Sequence, residues 1–473
     1  MFKQTTLHAE KSFLNEYFKE MLLDQDIVIN DSDYLDHLSP SQQIAFKLFK
    51  DGKNILLLGP GGVGKSTCIK TFEEYAIKNN KNVYLTATTG IAAYNIEGMT
   101  LHSFMGFGTG DGELSFLLKR ILKKKNIVQR IIETDILIVD EISMLSAELF
   151  EKMDTICKKI RRSNLFFGGI QMVFSGDVLQ LLPVFNQIQT KMDMSIDTRL
   201  IVESQLFHNM FNKKNIIVLK ENFRQKDSKA FVDLLNRLRI GQHTDEDIRL
   251  LKTRLLSTSK RNKLNLDNII HLVTSNKKAQ SINSSKLNKL SGPSHTYHSI
   301  IKTDGKDTDT CKMLEHELSN QFTSKGLNQF VLKKGARVML VKNLNVDIGL
   351  VNGSIGTIIS FEGPDANPKI EFDNGIVQVI ERTEWTIELN KNKCYAIQYP
   401  LILAWSITIH KSQSLTLDSA ILDLSDCWCD AQVYVALSRL RSLDGLYLRS
   451  FNPAKIKVNK KMKEFMQQIS IIN

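Results

Sequence analysis

Gly59-Pro60-Gly61-Gly62-Val63-Gly64-Lys65-Ser66 places two anchor glycines ahead of a Lys-Ser pair at the spacing of a phosphate-binding loop. Glycines let successive backbone N–H groups turn inward around an oxyanion, and a helix starting behind them presents its positive end. Lys65 is then placed for the β- and γ-phosphates of a nucleoside triphosphate and the Ser66 hydroxyl for Mg²⁺. Gly59, Gly61, Gly62, Val63, Gly64 and Thr67 complete the cradle. Downstream, the apolar run Ile136-Leu137-Ile138-Val139 ends in adjacent carboxylates, Asp140 and Glu141. Only one of them can serve the metal. Asp140 at the strand end is placed to hold Mg²⁺ through water, and Glu141, pointing the other way, to polarise an attacking water. A protein that merely binds nucleotide needs no base there, so the pair points to hydrolysis. Phosphoryl transfer also needs positive charge on the developing γ-phosphate oxygens, and an arginine from a second domain makes hydrolysis depend on domain closure. Arg224 in Asn222-Phe223-Arg224-Gln225 and Arg439 in Ala436-Leu437-Ser438-Arg439 are the candidates.

These groups have to be held by a scaffold, and its pattern is visible. Ile55–Leu58, Val83–Thr86, Ile136–Val139 and Met172–Phe174 are apolar runs of strand length, alternating with helical spacings such as Leu149, Met153, Ile156, Ile160. That alternation implies α/β architecture with a parallel sheet, in which ligands sit at the carboxyl ends of the strands. Each run is followed by a polar cluster: the glycine-rich loop, Thr88-Thr89-Gly90, Asp140-Glu141 and Gly176-Asp177. A second α/β region starts near Ile216 and carries the run Ile269–Thr274. Short β-like runs interrupt it over 335–398, including a hairpin signal at Asn374-Gly375, and a small inserted barrel is expected there. The α/β pattern resumes at Tyr399, and the Lys-rich last stretch reads as a terminal helix.

At 473 residues, with 42% hydrophobic and 24% charged content, the chain is a folded multidomain protein. Its 62 Lys+Arg against 51 Asp+Glu give +11 and favour a polyanionic partner. The six cysteines are scattered, and Cys427-Trp428-Cys429 has no second pair to complete a zinc site, so they read as reduced intracellular thiols. Residues 1–30 lack the apolar stretch of a secretory signal, and no run approaches the length needed to span a membrane, so a soluble intracellular protein is expected. With no long region ahead of Leu38, targeting and recruitment are expected to come from partners or the short ends.

Taken in order, the motifs resemble those of a superfamily 1B DNA helicase of the PIF type, related to RecD-like helicases, over about residues 38–450. Leu38-Ser39-Pro40-Ser41-Gln42 resembles the family's Q motif, which implies that Gln42 reads adenine. Thr86-Ala87-Thr88-Thr89-Gly90-Ile91 and Thr100-Leu101-His102-Ser103-Phe104 resemble motifs that hold single-stranded DNA, implying DNA contacts for Thr88, Gly90, His102 and Phe104. Glu148-Leu149-Phe150 through Phe167-Gly168-Gly169-Ile170-Gln171 is similar to the stretch peculiar to this branch. Gly176-Asp177-Val178-Leu179-Gln180 resembles motif III, which implies that Gln180 senses the γ-phosphate. Thr408-Ile409-His410-Lys411-Ser412-Gln413 resembles motif V, implying DNA contacts for His410, Lys411 and Gln413. Val433-Tyr434-Val435-Ala436-Leu437-Ser438-Arg439 resembles motif VI, making Arg439 the arginine finger.

The resemblance implies two RecA-like parallel-sheet domains with an SH3-like β-barrel inserted in the second. The expected division is a preface at 1–37, a first domain at 38–205 with a small insertion near 100–125, a second at 206–334 and 399–473, and the inserted module at 335–398. It further implies ATP and Mg²⁺ as cofactors, and a monomer that moves 5′ to 3′ on single-stranded DNA and opens tailed or forked duplexes. An RNA helicase and an ATPase clamp that never separates strands are the alternatives. Three positions depart from the family pattern: Leu182 for a second proline, Ser414 for a glycine after Lys-Ser-Gln, and Ala431 for a glycine before Gln432.

Overall fold

The computed structural model of the protein describes residues 32–107, 113–183, 197–223, 228–257, 266, 269–305, 307–345, 348–389, 392–413 and 415–470. The apolar runs become an all-parallel sheet of β1 (Ile55–Leu58), β2 (Val83–Ala87), β3 (Met99–Thr100), β4 (Ile136–Asp140), β5 (Gln171–Gly176) and β6 (Ile216–Val218). Their order is β3-β2-β4-β5-β1-β6. β1 and β4 are buried at every position, which is why they read as unbroken apolar runs rather than alternations. Within β1 the pleat divides the side chains: Ile55 and Leu57 face a core built on Phe46, Phe49 and Phe72, while Leu56 and Leu58 face one built on Phe104, Phe150 and Phe174. The helices Leu114–Leu122 and Lys125–Glu133 bury Leu117, Ile121, Ile127 and Ile131 and leave Lys119, Lys123, Lys124 and Lys125 in solvent, so that basic stretch is a solvated helix face.

A second parallel sheet is built from β7 (His271–Val273), β8 (Ser406–Thr408), β9 (Ala420–Leu424) and β10 (Leu446–Phe451), in the order β8-β7-β9-β10. Its core joins Leu272, Ile407, Leu422 and Leu448 to the helices Lys229–Arg239 and Gln432–Ser438. Between β7 and β8 the chain forms the helices Asn276–Lys289 and Thr308–Lys325 and a set of antiparallel strands. Arg337–Leu340, Ile355–Glu362, Asn367–Phe372 and Val377–Val379 pair in succession, and Leu401–Leu403 completes the sheet beside Arg337–Leu340. Asn374-Gly375 makes the expected hairpin, with Gly375 at φ +83°. The small barrel expected over 335–398 is, among the described residues, an open sheet. The strand Asn392–Gln398 pairs instead with Ile300–Asp304, outside that range, and carries Thr383–Leu389 on its other edge.

The last stretch is the helix Lys460–Ser470, as its composition suggests. It returns to the first sheet, burying Met462, Phe465 and Met466 in the core around Phe150, with the Phe465 and Phe207 rings 5.8 Å apart. No helix among the described residues is long and apolar enough to cross a membrane. All six cysteines are free, five of them buried.

Candidate nucleotide cleft and nucleic-acid track

The glycine-rich loop joins β1 to the helix Lys65–Lys78, the strand–loop–helix context its sequence requires. Gly62 and Gly64 have φ of +86° and +82°, a region closed to most side chains. The Lys65 Nζ donates to the carbonyls of Gly59 (2.7 Å) and Pro60 (2.8 Å), so the ammonium is curled back into its own loop. Burial lowers its pKa, and Asp177, Asp140 and Glu141 work against that shift. Gln42 is buried at the start of the helix Pro40–Lys50, where its Oε1 accepts from Ser39 N at 2.8 Å and its Nε2 donates to Gly64 O at 3.3 Å. Ser66 and Thr67 begin the helix behind the loop and are exposed.

β4 delivers the two carboxylates. Burial, then the neighbouring Glu141 charge, push the Asp140 carboxyl up to about 6, and its Oδ1 is buried with no hydrogen-bond partner. Glu141 has left-handed backbone (φ +56°, ψ +47°), which turns the chain sharply off the strand end. Gln180 follows β5, is 4% exposed, and its Oε1 also lacks a partner. From the second sheet, Arg439 closes the far wall at the end of the helix Gln432–Ser438, donating from Nε to Val435 O at 2.9 Å. Lys65, Ser66, Asp140, Glu141, Gln180 and Arg439, with Phe223 at the mouth, line one cleft of about 330 Å³. Arg224 lies outside the described residues.

The expected nucleic-acid contacts divide. Thr88 is half-buried, and its hydroxyl donates to Glu141 O at 2.9 Å, tying the loop after β2 to the cleft. Gly90 opens the helix Gly90–Asn95 directly under the inserted sheet, where an added Cβ would come within 3.2 Å of Asn352. His102 is half-buried, but Phe104 is fully buried against Tyr84, so its ring is a core residue and not a stacking surface. His410 and Lys411 lie half-buried after β8. Gln413 is 2% exposed, and its Nε2 donates at 3.5 Å to the Ser143 hydroxyl of the first unit. It therefore bridges the two sheets beside the cleft rather than facing a strand.

The family model described as "PIF1-like helicase" matches residues 37–249, and "DNA helicase Pif1, 2B domain" matches residues 317–361. The solved Pif1 helicase from Candida albicans is 33% identical, superposes with a TM-score of 0.78, and the match covers 92% of this chain and 99% of that one. The chain belongs to the Pif1-like helicase family. The ATP-dependent DNA helicase PIF1 of Xenopus laevis is 34% identical over 91% of this chain, which spans 64% of that relative's length. A Bacteroides Pif1 helicase solved with ADP-AlF3 and single-stranded DNA is 28% identical, covered over 92% of this chain and 97% of that one, with a TM-score of 0.71.

Against this family background, some groups at the site escaped the sequence reading. Phe223 is 41% exposed at the cleft mouth, with its N–H donated to Gly62 O at 2.7 Å. Trp428 is 52% exposed, stacks on His410 at 5.5 Å and 18°, and donates its indole N–H to Thr274 O. Its flanking cysteines drew attention only as an incomplete metal pair. Of the three departures from the Pif1-like pattern, Leu182 packs on the first core and Ser414 lies outside the described residues. Ala431 caps the helix Gln432–Ser438 at φ +60°, which is why glycine suits that position.

Proposed function

We propose that this chain is an ATP-dependent DNA helicase that moves 5′ to 3′ along single-stranded DNA and opens tailed or forked duplexes as a monomer. One observation carries the reading. Arg439, from the second parallel sheet, lines the same cleft as Lys65, Asp140, Glu141 and Gln180 from the first. A cleft lined from two sheets couples what happens at a phosphate to the spacing of the sheets.

In this reading Lys65 leaves the Gly59 and Pro60 carbonyls to meet the β- and γ-phosphates. Gln42 reads the adenine, and Glu141 accepts a proton from the attacking water. Gln180 and Arg439, and by the sequence motif Arg224, take up the charge that develops on the γ-phosphoryl oxygens. Mg²⁺, when bound, would supply neutralisation of phosphate charge. The Ser66 hydroxyl and the unpartnered Asp140 Oδ1 fit it, since a magnesium site needs one or two protein oxygens and keeps waters for the rest. The Thr88–Glu141 hydrogen bond gives a direct route from strand contact to the base. Thr88, Gly90, His102, His410, Lys411 and Trp428 then form the grip, with stacking rather than base-edge readout, so little sequence preference is expected.

The test is strand separation with ATP and Mg²⁺ on one duplex carrying either a 5′ or a 3′ single-stranded tail, with Lys65→Ala as control. Opening of the 5′-tailed duplex alone, lost in the control, is expected. Opening of neither, with ATP hydrolysis still stimulated by single strands, would make the chain a translocating clamp.

A further inference from the structure

The turn that carries Gln180 is held from the second unit on two sides. Asp177, fully buried at the end of β5, accepts Arg239 Nε at 3.0 Å on each oxygen and Arg239 Nη2 at 2.6 Å on Oδ1. It also accepts the Tyr434 hydroxyl at 3.1 Å on Oδ2. Arg239 and Tyr434 come from the helices Lys229–Arg239 and Gln432–Ser438, both in the core of the second sheet, and are 8% and 4% exposed. Leu181, next to Gln180, is buried in that same core.

Within the turn, Asp177 Oδ1 accepts Leu179 N at 3.1 Å, and its backbone carbonyl accepts Gln180 N at 2.9 Å. The Asp177 carboxylate therefore connects the second unit to the backbone of Gln180 through a single short turn. On the other side, Tyr434 lies on the helix that ends at Arg439. Burial alone would raise the Asp177 carboxyl, but the Arg239 guanidinium holds it below the usual range, so the charged pair is the form present.

We propose that Asp177, Arg239 and Tyr434 are positioning residues: a buried clasp that sets Gln180 of the first sheet and Arg439 of the second in one frame across the cleft. The clasp rests on the hydrolytic reading of that cleft. Neither Arg239 nor Tyr434 lines the cleft itself, so both act through Gln180 and Arg439. A misplacement there is felt where charge develops in the transition state and little in ground-state nucleotide binding.

Tyr434→Phe deletes one hydroxyl and leaves the packed ring. With single-stranded DNA and Mg²⁺ present, affinity for ADP with aluminium fluoride is expected to fall about tenfold, the loss of one hydrogen bond to a charged group. Affinity for ADP alone is expected to stay within about twofold, and kcat rather than KM to carry the drop in ATP turnover. D177N/R239Q, which removes both buried charges together so that neither is left unpaired, is expected to show the same split. Equal losses for ADP and the mimic mean a merely structural contact and overturn the clasp, as does no loss for either in a parent that hydrolyses ATP. A parent that neither hydrolyses ATP nor prefers the mimic to ADP overturns the hydrolytic reading and the clasp with it.

Discussion

Glu141 is a side chain that function requires on a backbone that stability disfavours, and the two can be separated by mutation. At φ +56° it sits in the left-handed region, where an L-residue costs about 1–2 kcal/mol. The turn is held there because the Glu141 carbonyl accepts both the Thr88 hydroxyl and Met144 N. Its charge is also, after burial, the main reason the Asp140 carboxyl is pushed up. Glu141→Gln removes the charge and the base but keeps the backbone strain. Glu141→Gly removes all three, while adding about 0.5–1 kcal/mol of unfolded-chain freedom. The difference between the two variants therefore isolates the backbone, and Glu141→Gly is expected to be the more stable by about 0.5–1 kcal/mol. In a nucleotide-free thermal melt of the 473-residue chain this is a midpoint higher by about 0.5–1 °C. Both variants are expected to hydrolyse ATP about 10²–10⁴ times more slowly than the parent while still binding it. A glycine variant no more stable than the glutamine variant would refute the stored strain. Parent-like turnover in Glu141→Gln would refute the assignment of the base.

An alanine at Gly64 would place its Cβ 2.3 Å from Gln42 Nε2 at φ +82°, so Gly64→Ala is expected to raise the ATP KM at least about tenfold. An unchanged KM in steady-state kinetics would remove Gln42 from the nucleotide site. Trp428→Ala is expected to weaken single-stranded DNA binding by about 5- to 100-fold at fixed salt, the worth of one base stack, with Trp428→Phe recovering most of it. Unaltered anisotropy titrations would show that the strand runs elsewhere. Burial, then the Arg449 and Lys286 charges, hold His271 down to about 4 from 6.5. The unfolded chain takes that proton first, so stability is present above pH 6.5 and drains away as pH falls toward 4. Melts at several pH values should show the slope, and His271→Gln should flatten it.

The local chemistry of this protein could be read along the chain because each piece is self-contained. A phosphate loop needs its glycines, its Lys-Ser pair and a strand before it, all within a dozen residues. β4 announces itself by being buried on both faces, and the Asn374-Gly375 hairpin by the left-handed backbone that only such residues adopt readily. Burial was harder to read. Phe104 and Trp428 are both aromatic residues beside polar neighbours, yet one is fully buried and the other 52% exposed, because only the packing of helices on the sheet decides which ring meets solvent. Gln413 shows the same limit: its motif suggests a DNA contact, and the seam between the two sheets covers it.

What the sequence determined by itself was therefore the set of reacting groups and the α/β scaffold, since both depend on spacing over a few residues. What only tertiary structure decided was which of those groups share a site. Asp177 meets Arg239 from 62 positions away and Tyr434 from 257, and Lys65 faces Arg439 across a cleft between two sheets. Those pairings cost chain entropy that no local signal records, and they exist because the packing of two hydrophobic cores brings their strand ends together.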